Sequence, residues 1–218
     1  MRIYALTNTE IEQTKMIEAH DHEVICLAYS PMIKDGYWLA SGSRDKNILV
    51  FDSKNNYEAV TALEHHTSTI TSVQFNADGD QISLLSGSAD KTIVERKIDM
   101  AAVRNAKQFE DLQLINSLEL FREGKKQQCS NKVFSMDISC EYMVTGHDKQ
   151  LSFWQMPSLN KVWEQEQPEV QLRTYLDPTA SIVISSSTDK SVTIYEAATG
   201  RPLARCSNGE ITTAMCLS

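Results

Sequence analysis

The stretch Leu39-Ala40-Ser41-Gly42-Ser43-Arg44-Asp45-Lys46-Asn47-Ile48-Leu49-Val50-Phe51-Asp52 constrains the fold more than any other. An apolar run, a polar turn with Asp at its tip, and a second β-branched run closing on an aromatic residue spell a two-stranded antiparallel hairpin. The phrase returns at 85–94, 144–154 and 185–195, each time with Asp-Lys at the turn: Asp90-Lys91, Asp148-Lys149 and Asp189-Lys190. Apart from one longer interval after Asp90, the copies recur at roughly 40–45 residues, the length of a four-stranded unit. A chain of such units predicts an all-β propeller, because self-similarity at a fixed period outranks other local signals.

Position by position, these units resemble WD40 repeats. Ala19-His20, with Val24 four residues after the His, matches the opening of the first, and 24–31 matches its innermost strand. Ser41, Asp45 and Phe51 stand at the family's Ser, Asp and Trp positions. The second unit matches through His66, 70–75, Ser86 and Asp90, with Arg96 replacing the aromatic. The third keeps Asp148 and Trp154, and the fourth keeps Ser185, Asp189 and Tyr195, both without the His. The resemblance implies that within each blade the His reaches the turn Asp and joins a Ser hydroxyl and the ring of the third strand in a structural hydrogen-bonded tetrad.

A narrower resemblance rests on 20–27, 40–45, 68–73, 87–93, Arg96 and Met136-Asp137. These segments are similar to the second propeller of the mitogen-activated-protein-kinase-binding WD-repeat scaffolds, a branch that includes a centrosomal and spindle-pole member. The long segment 98–130 departs from that pattern, as does Asn208, where the branch has a His.

The expected organisation is one WD40 propeller fragment over 1–218. Complete blades fall at about 20–65, 66–122, 123–165 and 166–207. A partial blade at 1–19 holds strands near 2–6 and 13–18, and another at 208–218 holds an inner strand near 211–217. An insertion covers about 98–130. Within it, Met100, Val103, Ala106 and Phe109 recur at helical spacing behind Asp99 as N-cap, which allows a short helix. The alternative is a long outer loop with 112–121 as the outer strand; in either case 124–128 reads as a flexible tip. Incomplete end blades would leave open strand edges, to be covered by self-association or by blades from a longer chain.

Composition narrows the function. Hydrophobic residues make up 41%, which suits half-exposed strands, and the net charge is −8. Nucleic-acid binding needs clustered cations against phosphate, and only Arg122 with Lys125-Lys126 approaches a cluster, so no nucleic-acid partner is expected. No apolar stretch reaches the roughly 20 residues that span a bilayer, and no signal peptide opens the chain. The five cysteines are odd in number and contain no CxxC, which favours reduced thiols. The expected location is cytoplasmic, and the narrower resemblance adds the centrosome or cytoskeleton.

The chemistry points away from catalysis. His20-Asp21-His22-Glu23 has two imidazoles flanking a carboxylate, yet His20 already has a tetrad role, so a structural reading outweighs a metal site; no cofactor is expected. Cys26 and Cys129 lack a placed base, and Ser41-Gly42-Ser43 lacks the Gly-rich turn and helix of a phosphate cradle. What remains is an interaction scaffold, with protein partners at the rim. Residues beside the turn tips, Arg44, His147 and Thr188, and those at the inner-strand starts, His22 and Ser68, form the candidate partner-binding face. Arg44 would be its anchor, because its fork of donors pairs with carboxylates or stacks on aromatics. The alternative function is a structural subunit of a microtubule-based assembly, ciliary or cytoskeletal.

Overall fold

The computed structural model describes residues 1–6, 10–34, 36–207 and 209–213. The first blade is β3 (Val24–Tyr29), β4 (Trp38–Ser43), β5 (Asn47–Asp52) and β6 (Glu58–Glu64), paired antiparallel in that order. The second is β7 (Ile70–Asp78), β8 (Gln81–Ser88), β9 (Thr92–Ile98) and β10 (Phe121–Gln128). The third runs β11 (Val133–Ser139), β12 (Tyr142–His147), β13 (Gln150–Gln155) and β14 (Asn160–Glu166). The fourth runs β15 (Gln171–Leu176), β16 (Ile182–Ser187), β17 (Ser191–Glu196) and β18 (Pro202–Ser207). Ahead of them lies a hairpin of β1 (Arg2–Leu6) and β2 (Ile11–Met16). Strand β2 therefore begins two residues earlier than the alternation at 13–18 suggested.

The blades stack face to face, so the core lies between neighbouring sheets. Ala40, Ile48 and Val50 of the first blade pack with Ile70, Val73 and Leu84 of the second. Leu85 and Ile93 of the second meet Val133, Met136 and Trp154 of the third. Val144 and Phe153 of the third meet Leu176, Val183 and Tyr195 of the fourth. This is why every residue of β4 is buried: a strand covered on both faces reads as a run of small and apolar residues rather than as an alternation. Gly42 and Gly87 mark close approaches between neighbouring blades. A Cβ at Gly42 would lie 2.6 Å from Ile70 Cγ2, and one at Gly87 would lie 2.7 Å from Val133 Cγ1, so a side chain there would wedge the blades apart.

The inner strand of the first blade lacks such cover on one face. Leu27 and Tyr29 of β3 are 52% and 54% exposed, whereas Val73, at the register position equivalent to Leu27, is 2% exposed. Leu27 and Tyr29 look across an open cleft at Ile3, Tyr4 and Ile11 of the β1–β2 hairpin.

The insertion is helical rather than a loop. It folds as α1 (Met100–Asn105), α2 (Phe109–Gln113) and α3 (Ser117–Leu120). Asp99 caps α1 as expected, its Oδ1 accepting from the amides of Ala101 and Ala102 at 3.0 and 3.1 Å. The helix stops at Asn105 because Ala106 turns extended. Val103, Leu112 and Leu120 bury against the first two blades, and of 112–121, expected as the outer strand, only Phe121 is in that strand. That strand is β10, which corrects two expectations: 124–128 is no flexible tip, and the boundary at 122/123 falls inside a strand. A register shift between Glu123 and Lys126 accommodates Gly124, where a Cβ would lie 2.9 Å from the carbonyl oxygen of Glu95. Loop-like letters here encode a bulge.

Of the inner strand expected at 211–217, residues 211–213 are not in strand, although the carbonyl of Thr212 accepts from the Ser186 hydroxyl at 2.9 Å. The rest of that stretch lies outside the described residues, as do Asn208 and Cys216. Among the described residues no helix is long and apolar enough to cross a membrane.

Candidate functional site

Each blade's polar chemistry gathers around the turn between its second and third strands. In the first blade the Asp45 amide donates to Ser43 Oγ at 3.1 Å, and Asp45 Oδ1 accepts from the Asn47 amide at 2.9 Å. This Asx-type turn holds Lys46 at φ 76°. The other carboxylate oxygen meets His20 Nδ1 at 2.8 Å, and His20 Nε2 meets Ser41 Oγ at 2.7 Å. Both ring nitrogens of His20 are therefore occupied, leaving no lone pair for a metal. Phe51 is buried at the aromatic position, but its ring has no N–H to extend the network.

The second blade repeats the geometry. His66 Nδ1 lies 2.9 Å from Asp90 Oδ2 and Nε2 lies 2.8 Å from Ser86 Oγ. Thr92 adds a donor, its hydroxyl 2.6 Å from Asp90 Oδ1. Burial works against the Asp90 charge, yet Thr92, the Thr67 amide and His66 together hold its carboxyl at about 2. Burial also pushes the His66 imidazole down despite the pull of Asp90, so the ring is neutral: Nδ1–H donates to the carboxylate and Nε2 accepts from serine. Arg96 takes the aromatic position and is 9% exposed, with Nε unpaired among the described residues.

The third blade corrects the letter match. Its turn is one residue shorter, because His147 pairs directly with Gln150 across Asp148 and Lys149. Asp148 consequently points outward and is exposed, and its expected place in the tetrad is not realised. His147, expected on an exposed face, is 0% exposed. Its Nε2 lies 2.7 Å from Thr145 Oγ1, which accepts from Trp154 Nε1 at 2.8 Å. The relay runs indole N–H to threonine oxygen, then threonine O–H to imidazole. Burial drives the His147 pKa down to about 4, so the ring stays neutral and Nε2 can accept. The position four residues before the inner strand, held by His20 and His66 in the first two blades, belongs here to Cys129. Its buried thiol is pushed up to about 12, far from a reactive thiolate.

In the fourth blade Ser185, Asp189 and Tyr195 do not converge. Gln167 stands at the His position and accepts from the Tyr195 hydroxyl at 3.0 Å, while Ser185 donates to Gln171 Oε1 at 2.6 Å. Asp189 caps its own turn, accepting from the Ser191 amide at 2.9 Å, and pairs with Arg205. Thr145, Cys129, Gln167 and Gln171 were missed from sequence. The four-residue offset from the start of each inner strand would have found Cys129 and Gln167.

The rim residues divide differently from the expectation. Arg44 and His22 are exposed, and Ser68 and Thr188 are half-buried. Arg44 Nη1 donates to Glu23 Oε2 at 3.1 Å, and the Thr188 hydroxyl donates to Glu169 Oε2 at 3.2 Å. His147 leaves this set.

The comparisons with known proteins match this geometry. The WD domain, G-beta repeat family matches residues 11–52 and 57–94. The chain is 38% identical over 96 residues to mitogen-activated protein kinase-binding protein 1 of Mus musculus, covering 44% of this chain and 6% of that protein. It is 27% identical over 211 residues to WD repeat-containing protein 62 of Sus scrofa, covering 94% of this chain and 13% of that protein. The chain thus spans a small part of the length of these relatives. In solved structures its fold matches a chain of the mitotic checkpoint complex crystal structure, with TM-score 0.69, 16% identity, and coverage of 92% of this chain and 57% of that one. Two blades thus carry the full His–Asp–Ser network and two carry rewired versions, and the chain contains WD40 repeats over 11–52 and 57–94 and is built as propeller blades.

Proposed function

We propose that the chain is a non-enzymatic protein–protein interaction scaffold within a longer WD-repeat protein, serving kinase signalling or centrosome and spindle organisation. One observation carries this reading. The histidines that could act as general bases, His20, His66 and His147, are spent on framework hydrogen bonds, while the rim presents exposed Arg44 and His22. The relatives supply the setting: one is named for binding a mitogen-activated protein kinase. We place the blades at about 20–64, 66–128, 129–166 and 167–207, each taking in one four-stranded sheet.

The rim face of Arg44, His22, Ser68 and Thr188 is the proposed docking surface. An exposed ion pair such as Arg44–Glu23 contributes at most about 1 kcal/mol, so Arg44 can exchange Glu23 for a partner's carboxylate. Arg44→Glu with His22→Glu should leave circular dichroism unchanged and release from pulldowns a protein that the parent chain captures. Unchanged capture by the folded double variant would remove this face from the reading. Permanent co-purification with a microtubule-based assembly, insensitive to these substitutions, would favour a structural subunit instead.

A further inference from the structure

The insertion carries two leucines that its own packing leaves unused. Leu112, Leu120 and half-buried Ile115 anchor it on the core of the first two blades, and Gln113 Nε2 donates to the Ala59 carbonyl at 2.8 Å. Leu114 and Leu118 stay outside that anchor. They are 85% and 61% exposed, and the first value is the highest for any large hydrophobic among the described residues. Four residues apart, their Cα atoms lie within about 14 Å of each other. A single exposed leucine is ordinary, but this pair stands on a fixed backbone. Leu114 ends α2 with helical dihedrals, φ −78° and ψ −17°, and its amide donates to the Glu110 carbonyl at 3.1 Å. Asn116 Oδ1 accepts from the Leu118 amide at 2.9 Å, which fixes the start of α3.

The charges beside the pair are of one sign. From Gln108 to Phe121 the chain holds Glu110, Asp111 and Glu119 and no lysine or arginine. Asp111 is committed, its Oδ2 accepting from the amides of Lys107 and Gln108 at 2.8 and 3.0 Å. Glu110 and Glu119 are exposed, and neither carboxylate has a hydrogen bond or ion pair among the described residues. Glu110 shares a helix face with Leu114 four residues on, and Glu119 adjoins Leu118. The cations at the ends of the insertion are occupied: Arg104 with Asp80 at 3.7 Å, Arg122 with Asp99, and Lys107 with Asp111.

We propose that this patch docks a basic amphipathic helix of a partner protein. The helix covers Leu114 and Leu118 with its apolar stripe and pairs its lysines or arginines with Glu110 and Glu119. The charge selects the occupant: an apolar stripe with acidic flanks would set carboxylate against carboxylate, whereas basic flanks meet two unpaired ones. The fixed backbone spares the chain part of the ordering cost of binding. The surface rests on the reading of the chain as an interaction scaffold, and it lies on the insertion rather than on the turn rim.

The test is fluorescence polarisation on the whole chain with a labelled peptide of leucine and lysine, written so that leucine lines one helical face. One control replaces lysine with glutamate, and another scatters the leucines around the helix at the same composition. The basic amphipathic peptide should bind saturably and at least tenfold more tightly than either control, and its affinity should fall as salt rises. Leu114→Ser with Leu118→Ser should weaken binding at least tenfold, and Glu110→Lys with Glu119→Lys several-fold, each with circular dichroism unchanged. Leu203→Ser, at a half-exposed leucine of the fourth blade, should change nothing. Equal binding of either control peptide, unchanged binding by either folded double variant, an equal loss from Leu203→Ser, or no saturable binding up to about 1 mM would overturn the site. Self-association of the chain that Leu114→Ser with Leu118→Ser abolishes would give the patch to a second copy and overturn it as well. Failure here with the Arg44 rim still releasing its partner would leave the scaffold reading standing.

Discussion

Replacing Thr145 with valine tests the rewired third blade directly. The substitution keeps the shape and removes one oxygen that serves two buried partners, Trp154 Nε1 at 2.8 Å and His147 Nε2 at 2.7 Å. All three side chains are at most 1% exposed, so water cannot replace the lost bonds. Each buried polar group left unpaired costs about 1–3 kcal/mol, and the two together should cost about 3 kcal/mol once the gain from burying a methyl is offset. For a chain of this size that is a fall in Tm of roughly 10 °C. Thr145→Ser, which keeps the oxygen, should recover most of it. Asp148→Ala provides the contrast. The letter pattern makes Asp148 the turn residue of the network, but its exposed carboxylate should change stability by less than about 0.5 kcal/mol. Thermal melts of the three variants followed by circular dichroism decide the matter. If Asp148→Ala melts lower than Thr145→Val, the relay assignment fails.

Acid should weaken the same blade. A histidine held near 4 in the fold and near 6.5 when unfolded favours folding fully above pH 6.5, and that contribution is lost as pH falls from 6.5 towards 4. For His147 the loss is about 3 kcal/mol, so Tm should drop over this window. The drop should be shallower in His147→Leu; an equal slope would put the sensitivity elsewhere. His66→Ala should cost roughly 1–3 kcal/mol, because it strips a donor from Asp90 and an acceptor from Ser86; a parent-like melt would dissolve the second-blade network. The exposed Leu27 and Tyr29 should make the isolated chain associate. Leu27→Glu should reduce that association in light scattering without lowering Tm, and a monomeric parent chain would refute it.

The blades were legible because a strand's period and a turn's chemistry are local. The Asp-Lys phrase, with Lys46, Lys91, Lys149 and Lys190 all at positive φ, marks all four hairpins, and the alternation in β3 marks an inner strand. The first two networks were legible as well, since His20 and His66 sit at fixed offsets from strands that pair in register. The third and fourth were not, because hydrogen bonding follows turn length and pairing rather than letters. One residue fewer between Gly146 and Leu151 turns Asp148 outward and draws His147 into the core. Gln171 and Gln167 intercept Ser185 and Tyr195 in the same way. The insertion shows the same division. Its helical spacing was visible, yet only packing against the first blade decided that Val103 and Leu112 are buried and that Gly124 is a bulge in an outer strand. Sequence alone determined the repeat, its strands and its turns, which depend on neighbours a few residues away. The tertiary structure decided which polar side chains close networks and which face is left bare, because those depend on blades meeting across residues distant in the chain.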